Sequence, residues 1–218
     1  MAKNKAITKQ NIISMYMKYV LVYNEHPKSV HAFAKANNFE ESKFYSHFGT
    51  FEAVEKQVFN AFFENTITVL EKNKDYNAYD SRSKLLAFYF TFFETLTANR
   101  SYVVYALNKH KSSLKNLTVL TSLKTSFISY IKNMDIEKLN IKQEQIEKFQ
   151  TKTISESAWV QLLVTLKFWL DDTSANFEKT DIFIEKSINT SFDILNVTPL
   201  KSIIDLGKFL FKEKIQMN

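Results

Sequence analysis

An all-α fold is predicted by two features of this sequence. Only two glycines (Gly49, Gly207) and two prolines (Pro27, Pro199) occur in 218 residues, so hairpin turns are poorly supplied. Along most of the chain, moreover, apolar residues recur at the three-and-four spacing of a helix that buries one face. An apolar content of 45% marks a folded chain, long enough for one substantial core or two small domains.

The elements follow in order. In TKQNIISMYMKYVLVYNEHP, Thr8 stands as an N-cap, and Ile13, Met17, Val20 and Leu21, with Ile12, Tyr16 and Tyr19 beside them, form a broad stripe. Asn24 is placed to end this helix in a left-handed cap. Ser29 caps a second, short helix whose Val30, Phe33 and Ala34 share one face. Asn37 and Asn38 break it, because asparagine tolerates positive φ better than any residue except glycine. A third short helix, EESKFYSHF, sets Phe44 and Phe48 at i and i+4 on one side and Lys43, Ser46 and His47 on another. Two short helices joined by a tight turn, the second turning polar side chains to solvent, describe a helix-turn-helix able to enter a major groove.

The segment SVHAFAKANNFEESKFYSHF, Ser29 to Phe48, resembles the helix-turn-helix of the TetR family of bacterial transcriptional regulators, typically T-V-x-x-I-A-x-x-A-G-V-S-x-x-x-L-Y-x-H-F. It aligns without a gap. Val30, Ala34, Tyr45, His47 and Phe48 are identical to that form, and Ser29, Phe33, Phe39 and Phe44 are like-for-like replacements. The resemblance implies three DNA-binding helices in residues 1–50, a long fourth helix from about Thr50 to Lys74 within a connecting region 51–80, and a helical effector-binding and dimerisation domain in 81–218. It also implies that Ser29, Glu41, Ser42, Lys43, Tyr45, Ser46 and His47 contact double-stranded DNA. Lys43 and Ser42 would reach base edges, while Tyr45, His47 and the backbone near Ser29 would hold phosphates. Three departures stand out: Asn38 replaces the turn glycine, Glu40 and Glu41 open the third helix, and Phe51 takes the place of a frequent lysine.

Beyond residue 80, helices are expected at Ser81–Ala98, Arg100–His110, Thr118–Met134, Gln143–Asp171, Lys179–Leu195 and Leu200–Lys214. LLAFYFTFF is apolar on nearly every side, which predicts enclosure by other helices, and Phe88, Tyr89 and Phe92 are candidates to line a cavity for a small apolar effector. In AWVQLLVTLKFWLDD, Trp159, Leu162, Leu163, Leu166 and Leu170 form one stripe, with Val160, Val164 and Phe168 elsewhere. Two stripes imply two neighbours. Trp159, Leu163 and Phe168 complete the effector candidates, and by the family resemblance this segment and Lys179–Leu195 build a homodimer interface.

Composition narrows the alternatives. The absence of cysteine rules out disulfides and thiolate chemistry, and the scarcity of glycine rules out phosphate-binding loops. No window reaches the roughly eighteen uninterrupted apolar residues of a membrane span, and no apolar leader opens the chain, so a soluble cytoplasmic protein is expected. Net charge is +6 overall and +3 over the first sixty residues, where eight lysines face five glutamates. Four scattered histidines make no metal site, no cofactor is expected, and His26 and His31 read as solvated or locally hydrogen-bonded. Asp171, Asp172 and Asp181 form the densest acidic group; with no histidine in the sixty residues before them they read as solvated helix-end charges, not catalysts. A second function stays open: the segment from Trp159 to Ile188 is faintly similar to coenzyme Q biosynthesis lipid-binding proteins, which implies a lipid- or isoprenoid-binding chain of TetR-like fold with a degenerate helix-turn-helix.

Overall fold

The structure, a computed structural model, describes residues 6–109, 116–134, 136 and 144–196. Among them are nine α-helices and no strand: α1 Lys9–Tyr23, α2 Val30–Ala36, α3 Glu41–Tyr45, α4 Phe51–Glu71, α5 Ser81–Ala98, α6 Arg100–Asn108, α7 Thr121–Asn133, α8 Glu144–Asp171 and α9 Glu178–Asn196. The expected all-α class holds. The helix expected at Leu200–Lys214 lies outside the described residues.

Local chemistry sets most of the boundaries. Thr8 and Asn11 form a reciprocal capping box at the start of α1, each side chain accepting the other's backbone N–H at 3.1 Å. Asn24 ends the helix at φ 52°, and Asn38 turns the chain after α2 at φ 58°. Thr50 caps α4 by accepting the Ala53 N–H. Between α5 and α6, Asn99 donates its side-chain amide to the Thr95 carbonyl and interrupts the helix as expected. Two turns of tight helix, Tyr76–Ala78 and Ala175–Phe177, were not foreseen, and a third, Leu117–Leu120, replaces the first turn expected of α7.

The chain forms two compact units. One runs through Thr68 and adds Phe92–Ser126; the other comprises Val69–Thr91 and the residues from Phe127 onward. In the first, Ile12, Ile13, Tyr16 and Val20 of α1 are buried with Phe33, Phe44, Val54, Val58, Phe59 and Tyr102. Leu21 stands outside this stripe, about half exposed. In the second, α8 and α9 pack together, and the buried line on α8 is Trp159, Leu162, Leu166 and Trp169, spaced by three and four. Trp169, fully buried, is its anchor. LLAFYFTFF is buried at Leu85, Phe88, Tyr89, Phe92 and Phe93 but not at Phe90, which is 39% exposed.

Of the aspartates at the end of α8, Asp172 departs from the solvated reading. Asp172 is buried, and its two carboxylate oxygens accept the backbone N–H and hydroxyl of Ser174 and of Thr180 at 2.7–3.0 Å, which ties the loop to the first turn of α9. Burial pushes this carboxyl upward, but the four hydrogen bonds dominate and hold it well below the usual range. A carboxylate held low in the folded state stabilises above the unfolded value of about 3.9 and loses that stabilisation as pH falls through its folded value. Thermal midpoints measured in acid are therefore expected to fall less steeply in Asp172→Asn than in the native chain. Asp171, by contrast, is exposed and paired with Lys167 one turn back.

Candidate nucleic-acid interface

The polar side of α3 is built over an aromatic floor. Phe44 is fully buried and meets Phe33 of α2 edge-on at 6.3 Å, Phe51 of α4 at 5.1 Å and Phe48 at 6.1 Å. Phe51 also stacks on Tyr16 of α1 at 5.6 Å, so the residue standing where the family often carries lysine is a packing element here. Five residues cannot hold a helix by their own hydrogen bonds. This floor holds them, and it leaves Ser42, Lys43, Tyr45, Ser46 and His47 outward, with Tyr45 53% exposed.

Several of these groups already have partners on the protein. Glu41 is half-buried: one carboxylate oxygen lies 3.3 Å from Nδ1 of His31 on α2, and the other accepts the Tyr45 hydroxyl at 3.4 Å. Glu41 thus faces a histidine that the sequence reading took as either solvated or locally hydrogen-bonded. Glu40, at the N-cap position, makes no capping hydrogen bond with its side chain and accepts the Ser42 hydroxyl at 3.5 Å. Helix α3 ends at Tyr45, earlier than the expected run to Phe48. Ser46 follows as its C-cap and donates its hydroxyl to the Lys43 carbonyl at 2.8 Å. His47 donates Nε2–H to the Ile7 carbonyl at 2.9 Å, which ties the chain before α1 to this turn and leaves Nδ1 as the free ring edge. The Ser29 hydroxyl accepts the Ala32 N–H and so fixes the first turn of α2. Lys43, exposed on its four-carbon stem, is the one formal cation of α3.

The effector candidates do not form one group. Phe88 and Tyr89 lie against Phe127, with ring centroids at 5.4 and 6.4 Å, and Trp159 reaches the same ring at 6.3 Å. These three are buried. Phe92 belongs to the other compact unit, Leu163 is half-buried, and Phe168 is 37% exposed, stacked face to face on Phe183 at 4.6 Å. Phe168, Ile182 and Phe183 form the apolar wall of an open cleft of about 530 Å³ edged by Lys179 and Lys186.

Sequence reasoning missed the contacts made over long separations: His31 to Glu41, His47 to Ile7, and a polar cluster around Glu55 of α4. Neither helical spacing nor motif likeness signals a pair ten or more residues apart across a turn.

A sequence profile described as the tetracyclin repressor-like C-terminal domain matches residues 84–210, from the start of α5 to beyond α9. No curated protein matches the chain. Among the described residues, no helix is long and apolar enough to cross a membrane. The profile match takes in more than half of the 218 residues, and by it the chain belongs to the TetR family of transcriptional regulators.

Proposed function

We propose that this TetR-family chain is a homodimeric, ligand-responsive repressor that binds a palindromic operator through α3. In this reading residues 1–50 bind DNA, 51–80 connect, and 81–218 bind an apolar effector and dimerise through α8 and α9. The observation that carries it is the anchored, outward polar face of α3: Ser42, Lys43 and Tyr45 exposed directly beside a fully buried Phe44. That arrangement suits insertion into a major groove, with Lys43 and Ser42 at base edges and Tyr45 and the Nδ1 edge of His47 at phosphates. Two such helices related by dimer symmetry would reach half-sites about 34–36 Å apart. An effector entering the C-terminal domain would change the tilt of α4 and so the spacing of the paired α3 helices, releasing the operator.

The test is a gel-shift on the DNA upstream of this chain's own gene. Because one good base contact is worth about 1–3 kcal/mol, Lys43→Ala is expected to weaken binding by about ten- to a hundredfold. Tyr45→Ala is expected to weaken it through lost phosphate contact, and circular dichroism should show both variants folded, since each side chain is exposed. Unchanged affinity in both variants removes α3 as the reading helix. A native protein that ignores DNA and carries a co-purified acyl chain supports the lipid-binding reading instead.

A further inference from the structure

The compact unit that contains α1, α2 and α3 encloses a charged cluster that the nucleic-acid face does not use. Glu55 of α4 is 3% exposed. Its Oε1 accepts the Tyr16 phenol of α1 at 2.8 Å, and Lys109, the C-cap of α6, brings Nζ to 3.3 Å from Oε2 and 3.4 Å from Oε1. His26, in the connection between α1 and α2, completes the group: Nδ1 lies 2.8 Å from the Tyr16 oxygen and Nε2 lies 3.2 Å from Glu55 Oε1.

Proton counting favours one charge state. A phenol has one proton, and two acceptors stand within reach of this one. The buried carboxylate is the stronger, so Tyr16 donates to Glu55 and its oxygen accepts Nδ1–H from His26. Burial, and after it the Glu55 charge, push the Tyr16 phenol far above its ordinary value, so this proton stays in place. A lone pair on Nε2 would then face a carboxylate oxygen at 3.2 Å and repel it, whereas an N–H there attracts. With a proton on both ring nitrogens the contact becomes an ion pair, out of line for a hydrogen bond.

The surroundings of His26 are charged on each side. Tyr16 comes from α1, Glu25 is its chain neighbour, Glu52 and Glu55 come from α4, and Tyr105 of α6 lies at 6.3 Å with Lys109 just beyond it. Two cations, His26 and Lys109, are thereby set against two carboxylates on α4, Glu52 and Glu55. Three residues after His26 comes Ser29, the cap of α2. Whatever holds His26 therefore restrains the segment that leads into α2.

We propose that His26 is a positioning residue: its imidazolium ties the segment entering α2 to Glu55 of α4 and Tyr16 of α1, and loss of its proton loosens the DNA-binding helices. The functional half of this inference rests on the DNA-binding reading above, whereas the proton-dependent tie itself does not. In this proposal the Glu55 carboxylate at 3.2 Å favours the charged ring, so the folded chain would hold the proton more tightly than the unfolded chain. Stabilisation is thus complete below the unfolded value of about 6.5 and is lost as pH rises through the higher folded-state value.

The experiment is thermal unfolding of the full chain at about pH 6 and about pH 9, comparing the native protein with His26→Gln. The native midpoint is expected to drop between the two pH values by about 2–4 °C more than that of His26→Gln, the scale of one lost charged contact in a chain of this size. The other three histidines are common to both proteins, so whatever they contribute cancels in the difference. Tyr16→Phe, which keeps the buried ring and removes the oxygen that accepts Nδ1–H, is expected to shrink the native pH dependence and serves if His26→Gln does not fold. Equal pH dependence in native and variant chains overturns the proposal. Operator affinity measured in parallel is expected to weaken about tenfold at the higher pH in the native protein and to stay level in His26→Gln. If no DNA is bound at any pH while the melting difference persists, the DNA-binding reading fails and the tie stands.

Discussion

Phe44→Ala is expected to cost about 3–5 kcal/mol of stability, as other buried phenylalanine truncations do, and to abolish operator binding with it. The ring is the shared contact of α2, α3 and α4, touching Phe33, Phe48 and Phe51. Neighbours fixed by their own burial cannot close the space: Phe33 is 1% exposed and Phe48 5%. A five-residue helix has no independent stability to fall back on. Domains of this kind unfold with a total of about 5–15 kcal/mol, so the loss is a large fraction of the whole. The adjacent residue supplies the control. Tyr45 is half exposed, and Tyr45→Ala is expected to change stability by no more than about 0.5 kcal/mol while still weakening DNA binding. Urea unfolding followed by circular dichroism separates the two. Equal midpoints for both variants would show that Phe44 is not the anchor of α3.

What could be read in the sequence divides along the range of the forces involved. Caps act within three or four residues, and Thr8, Asn24, Ser29 and Thr50 all do what their side chains permit locally. Helix α5 begins and ends where its pattern does, at Ser81 and Ala98. The end of α3 was less legible, because Ser46 and His47 continue the amphipathic pattern while their hydrogen bonds go to Lys43 and to Ile7, the latter forty residues away. Asp172 illustrates the same limit. Its spacing to Asp171 and Asp181 looks like a solvated cluster, yet the fold brings Ser174 and Thr180 onto its carboxylate and buries it. Glu55 and His26 were beyond reach for a related reason: their partners Tyr16 and Lys109 stand 39 and 54 residues from Glu55, and helical periodicity says which face is buried but not which polar groups meet there. In α8 the pattern found two stripes but placed Leu163 and Leu170, both half-buried, on the covered one and left out Trp169, its fully buried anchor. The stripe with Trp159, Leu162 and Leu166 is covered within the chain, and the stripe with Val160, Val164 and Phe168 is not.

That uncovered stripe carries the largest expected effect. Val160, Val164 and Phe168 lie one turn apart on α8 and are 56%, 51% and 37% exposed. On α9, Ile182 and Ile194 are 51% and 53% exposed, and the two helices meet through the Phe168–Phe183 stack. Isolated surface valines are ordinary, but a run of large apolar side chains along two packed helices is the kind of surface a partner covers. With a second copy as that partner, two helices from each protomer would make a four-helix interface of isologous symmetry. Every substitution then enters the interface twice. In the double variant Val164→Glu, Ile182→Glu, four carboxylates would lie in an apolar contact; at a conservative ~3 kcal/mol for each two-fold pair, the dimer dissociation constant should rise by about four orders of magnitude. Since both positions are exposed within the chain, each copy is expected to stay folded, and sedimentation equilibrium should report the mass of a single chain with unchanged helical content. Operator binding should fall in step, because a lone α3 meets only one half-site. A variant that still sediments at twice the chain mass would place the interface elsewhere, and the paired spacing of the α3 helices would then need another origin.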